Sequence, residues 1–589
     1  MPESASLKMQ SNIGITMRDG ITLYADIYRP DGDGPYPTIL QRTPYDKTTA
    51  LSNSMLDPIR AAKAGFAVVI QDTRGRHASE GEFYAFRDDI EDGYDTVEWA
   101  AAQPWSNGKV GMYGASYVGA TQWLAATSRP PHLTAIAPTV TASNYHDGWT
   151  YQGGAFELGF NMSWTLLQLT LANFKNVSSV KNVPRERRGD LIKAVDGMTE
   201  GFGFLPTKDY PGLDSGLADY YYDWLAHPDY DDYWKKLCIE EHHSNIDVPA
   251  LHVGGWYDIF LGGTIRNYLG MKESGATDTA RGGQKLIIGP WAHGARGSTM
   301  SGRHYFGVMA DPMAIDLDGI HLRWFDHWLN GPGPDNPDTN ANRITDEAPV
   351  KIFVMGDDVW RDEQEWPLAR AVETRYYIHS RGTANSKHGN GSLSTQAPDQ
   401  EAPDVFLYNP ADPAPTTGGA LCCNPYFAAN GAYDQNEVEE RPDVLVYSTP
   451  PLACDLEVTG PVKVTLWAST SATDTDFTAK LVDVCENGCA RNLTDGIIRA
   501  RYRDSMSSPT LLEPGRAYRY EIDLWATSNV FKAGHRIRLE ISSSNFPRFD
   551  RNTNTGNIIS ADTELKPALQ TVFHDAQRAS CVSLCIVPR

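Results

Sequence analysis

No stretch of the 589-residue chain approaches the roughly 20 consecutive apolar residues needed to cross a bilayer. The first residues, MPESASLKMQSNIG, lack the apolar run of a secretory signal. Both absences lead us to expect a cytoplasmic protein with no membrane partner. Basic charge is short as well: 52 Lys and Arg stand against 74 Asp and Glu, a net charge of −22. Nucleic acid and anionic membranes both need a basic face, so no nucleic acid is expected as a partner. Cysteine is sparse, eight in all and seven of them after residue 420, which excludes a disulfide scaffold. Cys485 and Cys489 have C-x-x-x-C spacing, as do Cys581 and Cys585, but no His stands at ligand spacing near either pair. These read as ordinary thiols, and neither a metal nor another cofactor is expected. Internal repeats and low-complexity tracts are missing too. Hydrophobic residues make up 41% and charged residues 21%, a globular rather than a disordered composition. The length calls for two or three domains.

What is present is an ordered alternation of patterns. Ile21–Tyr28, Thr38–Arg42, Phe66–Asp72 and Val110–Tyr113 are short, apolar and strand-like. Asp88–Ala102 and Tyr117–Thr127 have helical spacing. Strands alternating with helices predict a parallel α/β sheet. Residues 146–240 differ: 16 of those 95 are aromatic, the apolar stretches are helical, and no strand pattern is convincing. They read as a helical cap inserted over one face of the sheet. The α/β pattern resumes with strands at Ala250–Gly254 and Lys285–Gly289 and a helix at His321–Leu329. From 350 onward, alternation of period two dominates, as in Val462–Thr470, Thr478–Val484, Tyr518–Trp525 and His535–Ser542. That pattern predicts a β-sandwich. The expected division is an α/β core of residues 1–145 and 241–349, a cap of 146–240, and an all-β domain of 350–589.

The chemistry concentrates where a strand runs into Gly114-Ala115-Ser116 and a helix leaves it. A nucleophile on such a turn points out of the sheet top and sits at a helix N-terminus, where amides can receive an oxyanion. The common elbow is G-x-S-x-G; here Val118 takes the second Gly position and Gly119 follows one residue later. Pattern alone therefore leaves a chance Gly-rich turn open. A nucleophilic Ser needs a base and a group that orients it, each following a later strand. Asp258 follows the strand at 250 by a few residues and His293 follows the one at 285, in the order Ser, Asp, His.

At this point the sequence resembles the cocaine-esterase-like branch of the X-prolyl dipeptidyl peptidase family of serine α/β-hydrolases. The matching segments include Met17–Pro30 (MRDGITLYADIYRP), Arg42–Lys47 (RTPYDK), Asp72–Gly81, Gln103–Gly108, the GxSYxG elbow of Gly114–Gly119, Gly255–Asp258 and Gly289–His293. Ser471–Asp483 and Ser542–Arg551 extend the likeness into the β-domain. The resemblance implies an α/β-hydrolase core with an inserted helical cap and a C-terminal jelly roll. It implies Ser116 as nucleophile, His293 as general base and acid, and Asp258 as the group that orients His293. It implies two oxyanion donors, the Tyr117 amide and the Tyr45 hydroxyl, and an apolar substrate box of Trp149, Trp164 and Phe260.

The activity so implied is hydrolysis of a small or medium ester through an acyl-enzyme. Amide or X-prolyl peptide cleavage, acyl transfer to another acceptor, and a non-catalytic binding role are the alternatives. The positions after Asp258 are Ile259, Phe260 and Leu261. Relatives that hydrolyse α-amino acyl esters carry acidic residues there, so an α-amino acyl substrate is disfavoured. A peptidase would need an anionic anchor for the substrate amine, for which the cap offers Asp147 and Glu157. His242-His243 beside Glu240-Glu241 reads as a solvated stretch. A small-molecule ester or amide is the expected partner, and self-association into a homo-oligomer is left open.

Overall fold

The structure is a computed structural model describing residues 6–49, 56–213, 216–294, 298–331, 344–423 and 426–589. The first sheet begins with β1 (Leu7–Thr16), β2 (Thr22–Pro30), β3 (Tyr36–Thr43), β4 (Ala67–Asp72), β5 (Ser106–Ala115) and β6 (Leu133–Thr139). The described residues of 140–249 then form a mainly helical excursion with a short hairpin, β7 (Tyr151–Gln152) with β8 (Ala155–Phe156). The sheet resumes with β9 (Ala250–Tyr257) and β10 (Gln284–Ala292). After a second small hairpin, β11 (Met300–Ser301) with β12 (His304–Tyr305), come β13 (Val350–Val354) and β14 (Val359–Glu363). Strand order is β1-β2-β4-β3-β5-β6-β9-β10-β13-β14.

The run from β4 to β13 is parallel, as the alternating pattern predicts. The two ends are not. β1 and β2 are joined by the tight turn Met17–Ile21, closed by a bond from the Met17 amide to the Ile21 carbonyl, and so short a link allows only an antiparallel pair. β1 escaped the sequence reading because it is a solvated edge strand with few buried positions. A second difference lies at residue 350. β13 and β14 complete the first sheet, with Val350 paired to Leu286, and do not open the second. Period-two alternation marks a strand but not the sheet it joins, so the pairing of this hairpin with the first sheet is not legible in the pattern.

Helix Tyr117–Thr127 is buried at every position through Ala126. A helix apolar on all sides belongs in the interior, and this one lies between helix Asp89–Ala101 and the sheet. It is thereby a rigid mount for whatever precedes it.

The second sheet has eleven strands, running from Val372–His379 to Cys581–Val587. Its longest ladder pairs Leu456–Thr470 with Tyr518–Phe531. Along the first of these strands Val462, Val464, Leu466 and Ala468 are buried while Lys463 is exposed, the alternation read from the sequence. The domains share one apolar cluster, in which Trp256, Tyr257 and Leu261 of the core meet Val458, Leu466 and Trp525. Inside the second domain Asp404 accepts hydrogen bonds from Ser380 Oγ (2.7 Å), Tyr447 Oη (2.8 Å) and His574 Nε2 (3.0 Å). His574 Nδ1 meets Glu401 at 3.0 Å. Among the described residues no helix is long and apolar enough to cross a membrane.

Candidate active site

Ser116 stands between β5 and helix Tyr117–Thr127 with φ 61° and ψ −125°. A non-Gly residue with positive φ is strained, and such strain is held where the surroundings over-determine it. The neighbours explain how. Gly114 (φ 135°) cannot carry a Cβ, which would come within 2.3 Å of Val118 Cγ1. Gly119 cannot either, since its Cβ would meet Thr141 at 2.8 Å and the Thr139 carbonyl at 3.2 Å. Val118, at the position usually held by Gly, packs over Gly114, and Gly119 supplies the close approach to β6. The two glycines thus do the same work in a shifted register.

Asp258 and His293 each follow a parallel strand, β9 and β10, which lie side by side and are separated from β5 by β6 alone. The Ser116 Oγ to His293 Nε2 distance is 3.0 Å, and His293 Nδ1 to Asp258 Oδ2 is 2.7 Å. Asp258 is fully buried, and its other oxygen accepts the Phe260 amide at 2.7 Å, which fixes the carboxylate plane. The three side chains read from distant stretches of sequence therefore meet in one hydrogen-bonded chain.

Tyr45 lies beside them. Its hydroxyl is within hydrogen-bonding reach of Ser116 and accepts the Trp164 indole N–H at 3.0 Å. Burial pushes the phenol up to about 12, with Trp164 and Ser116 opposing. It therefore stays neutral near pH 7, and with the indole as donor its own proton is available to an oxyanion. The Tyr117 amide is the first of its helix and has no carbonyl one turn back, so it too is a free donor by position. The Tyr117 side chain anchors that turn. Its hydroxyl donates to Asp89 Oδ2 (2.6 Å) and accepts the Phe86 amide (2.8 Å), and Asp89 is paired with buried Arg42.

Trp149, Trp164 and Phe260 are also at the site, but not as an open box. Trp149 stacks on Phe260 with centroids 4.3 Å apart, and Phe260 meets His293 edge-on at 5.1 Å. Trp149 and Phe260 are 0% exposed and Trp164 is 1% exposed. Large flat rings of this size fill the space between them by stacking. The expected box is therefore closed, and the three rings form a packed wall behind the triad.

Asp147 and Glu157 lie apart from a free anionic site. Burial pushes the Glu157 carboxyl up to about 8, with Arg548 opposing and Asp495 adding to it. Arg548 itself is held by Asp495 at 2.6 Å. The Asp147 carboxylate accepts the Gly153 amide, and Arg266 reaches the Asp147 carbonyl.

Sequence reading missed several supports. Arg76 is buried and donates to the carbonyls of Pro44 (2.7 Å), Gln168 (2.9 Å) and Leu169, so it ties the Tyr45 loop to the helical excursion. Its loop, Asp72–Gly81, is held as well by ion pairs of Arg74 with Asp92 and of Asp72 with Lys47. His243 is buried against Asn267, unlike the solvated stretch expected there. Asn430 of the second domain donates from Nδ2 to the His293 carbonyl at 3.3 Å. Cys422 and Cys423 are joined as a vicinal disulfide beside His293. Nothing in the order of residues says that this loop returns to the triad.

A serine on a strand–helix elbow, linked to a histidine and an aspartate that follow two adjacent parallel strands, defines a serine hydrolase of the α/β-hydrolase type. Residues 19–295 match the X-Pro dipeptidyl-peptidase (S15) family, and residues 342–583 match the X-Pro dipeptidyl-peptidase C-terminal non-catalytic domain. The chain belongs to that family, on its cocaine-esterase branch. It is 39% identical to the cocaine esterase of Rhodococcus sp. (strain MB1 Bresler), over 98% of each chain. Two solved structures are also similar. An aminopeptidase from the marine sediment archaeon Thaumarchaeota archaeon superposes with TM-score 0.80 at 26% identity, covering 99% of this chain and 97% of its own. An α-amino acid ester hydrolase superposes with TM-score 0.78 at 26% identity, covering 100% and 97%. The chain is a serine ester hydrolase.

Proposed function

We propose that Ser116 attacks the acyl carbonyl of a small ester whose acyl group is apolar, with His293 taking the Ser116 proton and Asp258 holding His293. The hydrogen-bonded chain from Ser116 through His293 to Asp258 carries this reading. Among the described residues His293 Nε2 is the base in reach of the hydroxyl, at 3.0 Å. Its Nδ1 is committed to Asp258, which fixes the tautomer and stabilises the imidazolium that forms. As the carbonyl oxygen gains charge, the Tyr45 hydroxyl and the Tyr117 amide receive it. His293 then returns its proton to the leaving alcohol, and the acyl-enzyme is cleaved by water activated at the same nitrogen.

An apolar acyl group is favoured by what surrounds the reacting carbonyl. Ile259, Phe260 and Leu261 offer no charge, Glu157 is driven toward its neutral form, and the Asp147 carboxylate accepts the Gly153 amide and faces the Arg266 guanidinium at 3.9 Å. A substrate ammonium would find no free carboxylate among these groups, which weighs against X-prolyl peptides and α-amino acyl esters. The name of the Rhodococcus relative, cocaine esterase, is in keeping with an ester substrate. Trp149, Trp164 and Phe260 are assigned as the apolar wall on the acyl side of the site.

The test is a panel of acetyl, benzoyl and α-aminoacyl esters with the matching amides and an X-Pro dipeptide amide, run on wild type and Ser116→Ala. The reading expects benzoyl and acetyl esters to be cleaved well ahead of α-aminoacyl esters and amides, with all turnover lost in the variant. A preference for the X-Pro amide, or α-aminoacyl esters cleaved fastest, would contradict it.

A further inference from the structure

We propose that Cys422 and Cys423, once reduced, join His293 in a site for a soft divalent cation of the zinc class, and that filling this site switches the triad off. The described residues on either side of the pair are tied down. Gly419 and Gly431 are joined by reciprocal backbone bonds of 2.7 and 2.8 Å. Asn430 donates at once to the Leu421 carbonyl (3.4 Å) and to the His293 carbonyl (3.3 Å). The second domain therefore delivers two sulfurs to the rim of the first domain's site.

One ring nitrogen of His293 and the two Sγ atoms all lie within 4.8 Å of one another. A tetrahedral zinc ion, with bonds of about 2.3 Å to sulfur and about 2.0 Å to nitrogen, holds its ligands about 3.5–3.8 Å apart. The imidazole nitrogen exceeds that spacing from either sulfur by no more than about 1 Å, and the two sulfurs, bonded to each other here, part by side-chain rotation once the bond is reduced. Two thiolates and an imidazole form a donor set that selects zinc, cadmium or cobalt over magnesium and calcium. Cys422 is buried, while Cys423 is half-buried and offers the approach from solvent.

In the structure the two sulfurs are bonded to each other and cannot act as thiolates. A small dithiol opens the site. It gives two electrons and two protons to the Cys422–Cys423 bond, yields two thiols, and is itself oxidised to a disulfide. On binding the cation both thiols release their protons to solvent. Both nitrogens of His293 are already engaged, Nδ1 by Asp258 and Nε2 by Ser116. A cation on either one displaces a member of the triad, so occupancy and hydrolysis exclude each other. The cation is an inhibitor and takes no part in the reaction.

The test reduces the purified protein with a dithiol, removes the excess without oxygen, and titrates zinc chloride while each protein's ester hydrolysis is read against its own metal-free rate. About one equivalent of zinc should abolish hydrolysis in the reduced protein, and a chelator should restore it. The untreated, disulfide-bonded protein should tolerate that concentration. Losing two ligands in Cys422→Ser/Cys423→Ser should raise the half-inhibitory zinc concentration at least ~100-fold. If the double variant fails to fold, Cys423→Ser alone carries the comparison. Cobalt(II) supplies a readout independent of activity: a thiolate-to-cobalt absorption band in reduced wild type and in reduced Ser116→Ala, absent from the serine double variant. Inhibition that is equal with and without reduction, or unchanged in the cysteine variants, would overturn the proposal, as would reduced protein with no cobalt–thiolate band. An enzyme without esterase activity that still shows the band would sink the functional reading and leave the cation site standing.

Discussion

The two sheets of this protein put polar groups to opposite uses. In the first, parallel strands all end on one rim, so residues just past β5, β9 and β10 face the same space although the chain between them is long. Ser116, Asp258 and His293 stay reachable there, with Ser116 held in a strained conformation. In the second, neighbouring antiparallel strands end at opposite rims, and charged groups are instead closed inside. Arg499 is buried between Asp476 and Asp550, Arg548 bonds to Asp495, and His574 bridges Glu401 and Asp404. The parallel architecture gathers chemistry at an edge, and the antiparallel one commits its charges to holding shape. Substitutions in the first should therefore change rate, and those in the second should change stability.

The largest effect tests the first half of that contrast. Ser116→Ala should lower kcat by at least ~10⁴ and leave the melting temperature near wild type. Asp258→Asn should cost about 10⁴ in kcat, because the amide presents the wrong tautomer to His293 while filling the same space. Tyr45→Phe should cost about 10²–10³ in kcat with KM little changed, since the hydroxyl is needed only when the oxyanion forms. Steady-state kinetics on the folded variants decides each. A Tyr45→Phe enzyme at wild-type rate would remove that hydroxyl from the oxyanion site.

The other half of the contrast calls for smaller effects of a different kind. His574→Ala leaves the Asp404 carboxylate buried without its imidazole and should cost on the order of 3–5 kcal/mol by denaturant unfolding, with kcat unaltered. A pH dependence follows from the same cluster. Burial pulls the His574 imidazole down, but Asp404 and Glu401 outweigh it and raise it above its ordinary 6.5. The stability it adds is complete below 6.5 and lost as pH rises through the raised folded value. Burial pushes the Asp404 carboxyl up, but His574, the Ala384 amide, Ser380 and Tyr447 hold it below 3.8. Its share is complete above 3.8 and lost as pH falls through the lowered value. Melting temperature should thus drop from wild type to His574→Ala most strongly between those pH limits, and the gap should narrow on the alkaline side. A gap that widens with rising pH would show that His574 is held neutral.

Much of the catalytic rim was legible in the sequence because each part has a local signature. The elbow needs Gly114 and Gly119 for reasons of space, and Asp258 and His293 each follow an apolar strand pattern that a parallel sheet requires. What escaped has no local signature. The registration of Val350–Glu363 with β10 is decided by tertiary pairing. The convergence of Cys422, Cys423 and Asn430 on His293 depends on how the second domain docks. The packing of Trp149 on Phe260 could not be read either, since a ring that lines a pocket and a ring that fills one look alike in sequence.

The central claim is that Ser116 alone among the hydroxyls of the chain is made nucleophilic, by His293. Labelling the native enzyme with a fluorophosphonate and mapping the adduct by mass spectrometry tests it most directly. The expected result is a single adduct on Ser116, absent from His293→Ala. An adduct on any other residue, or labelling of Ser116 undiminished without His293, would contradict the account.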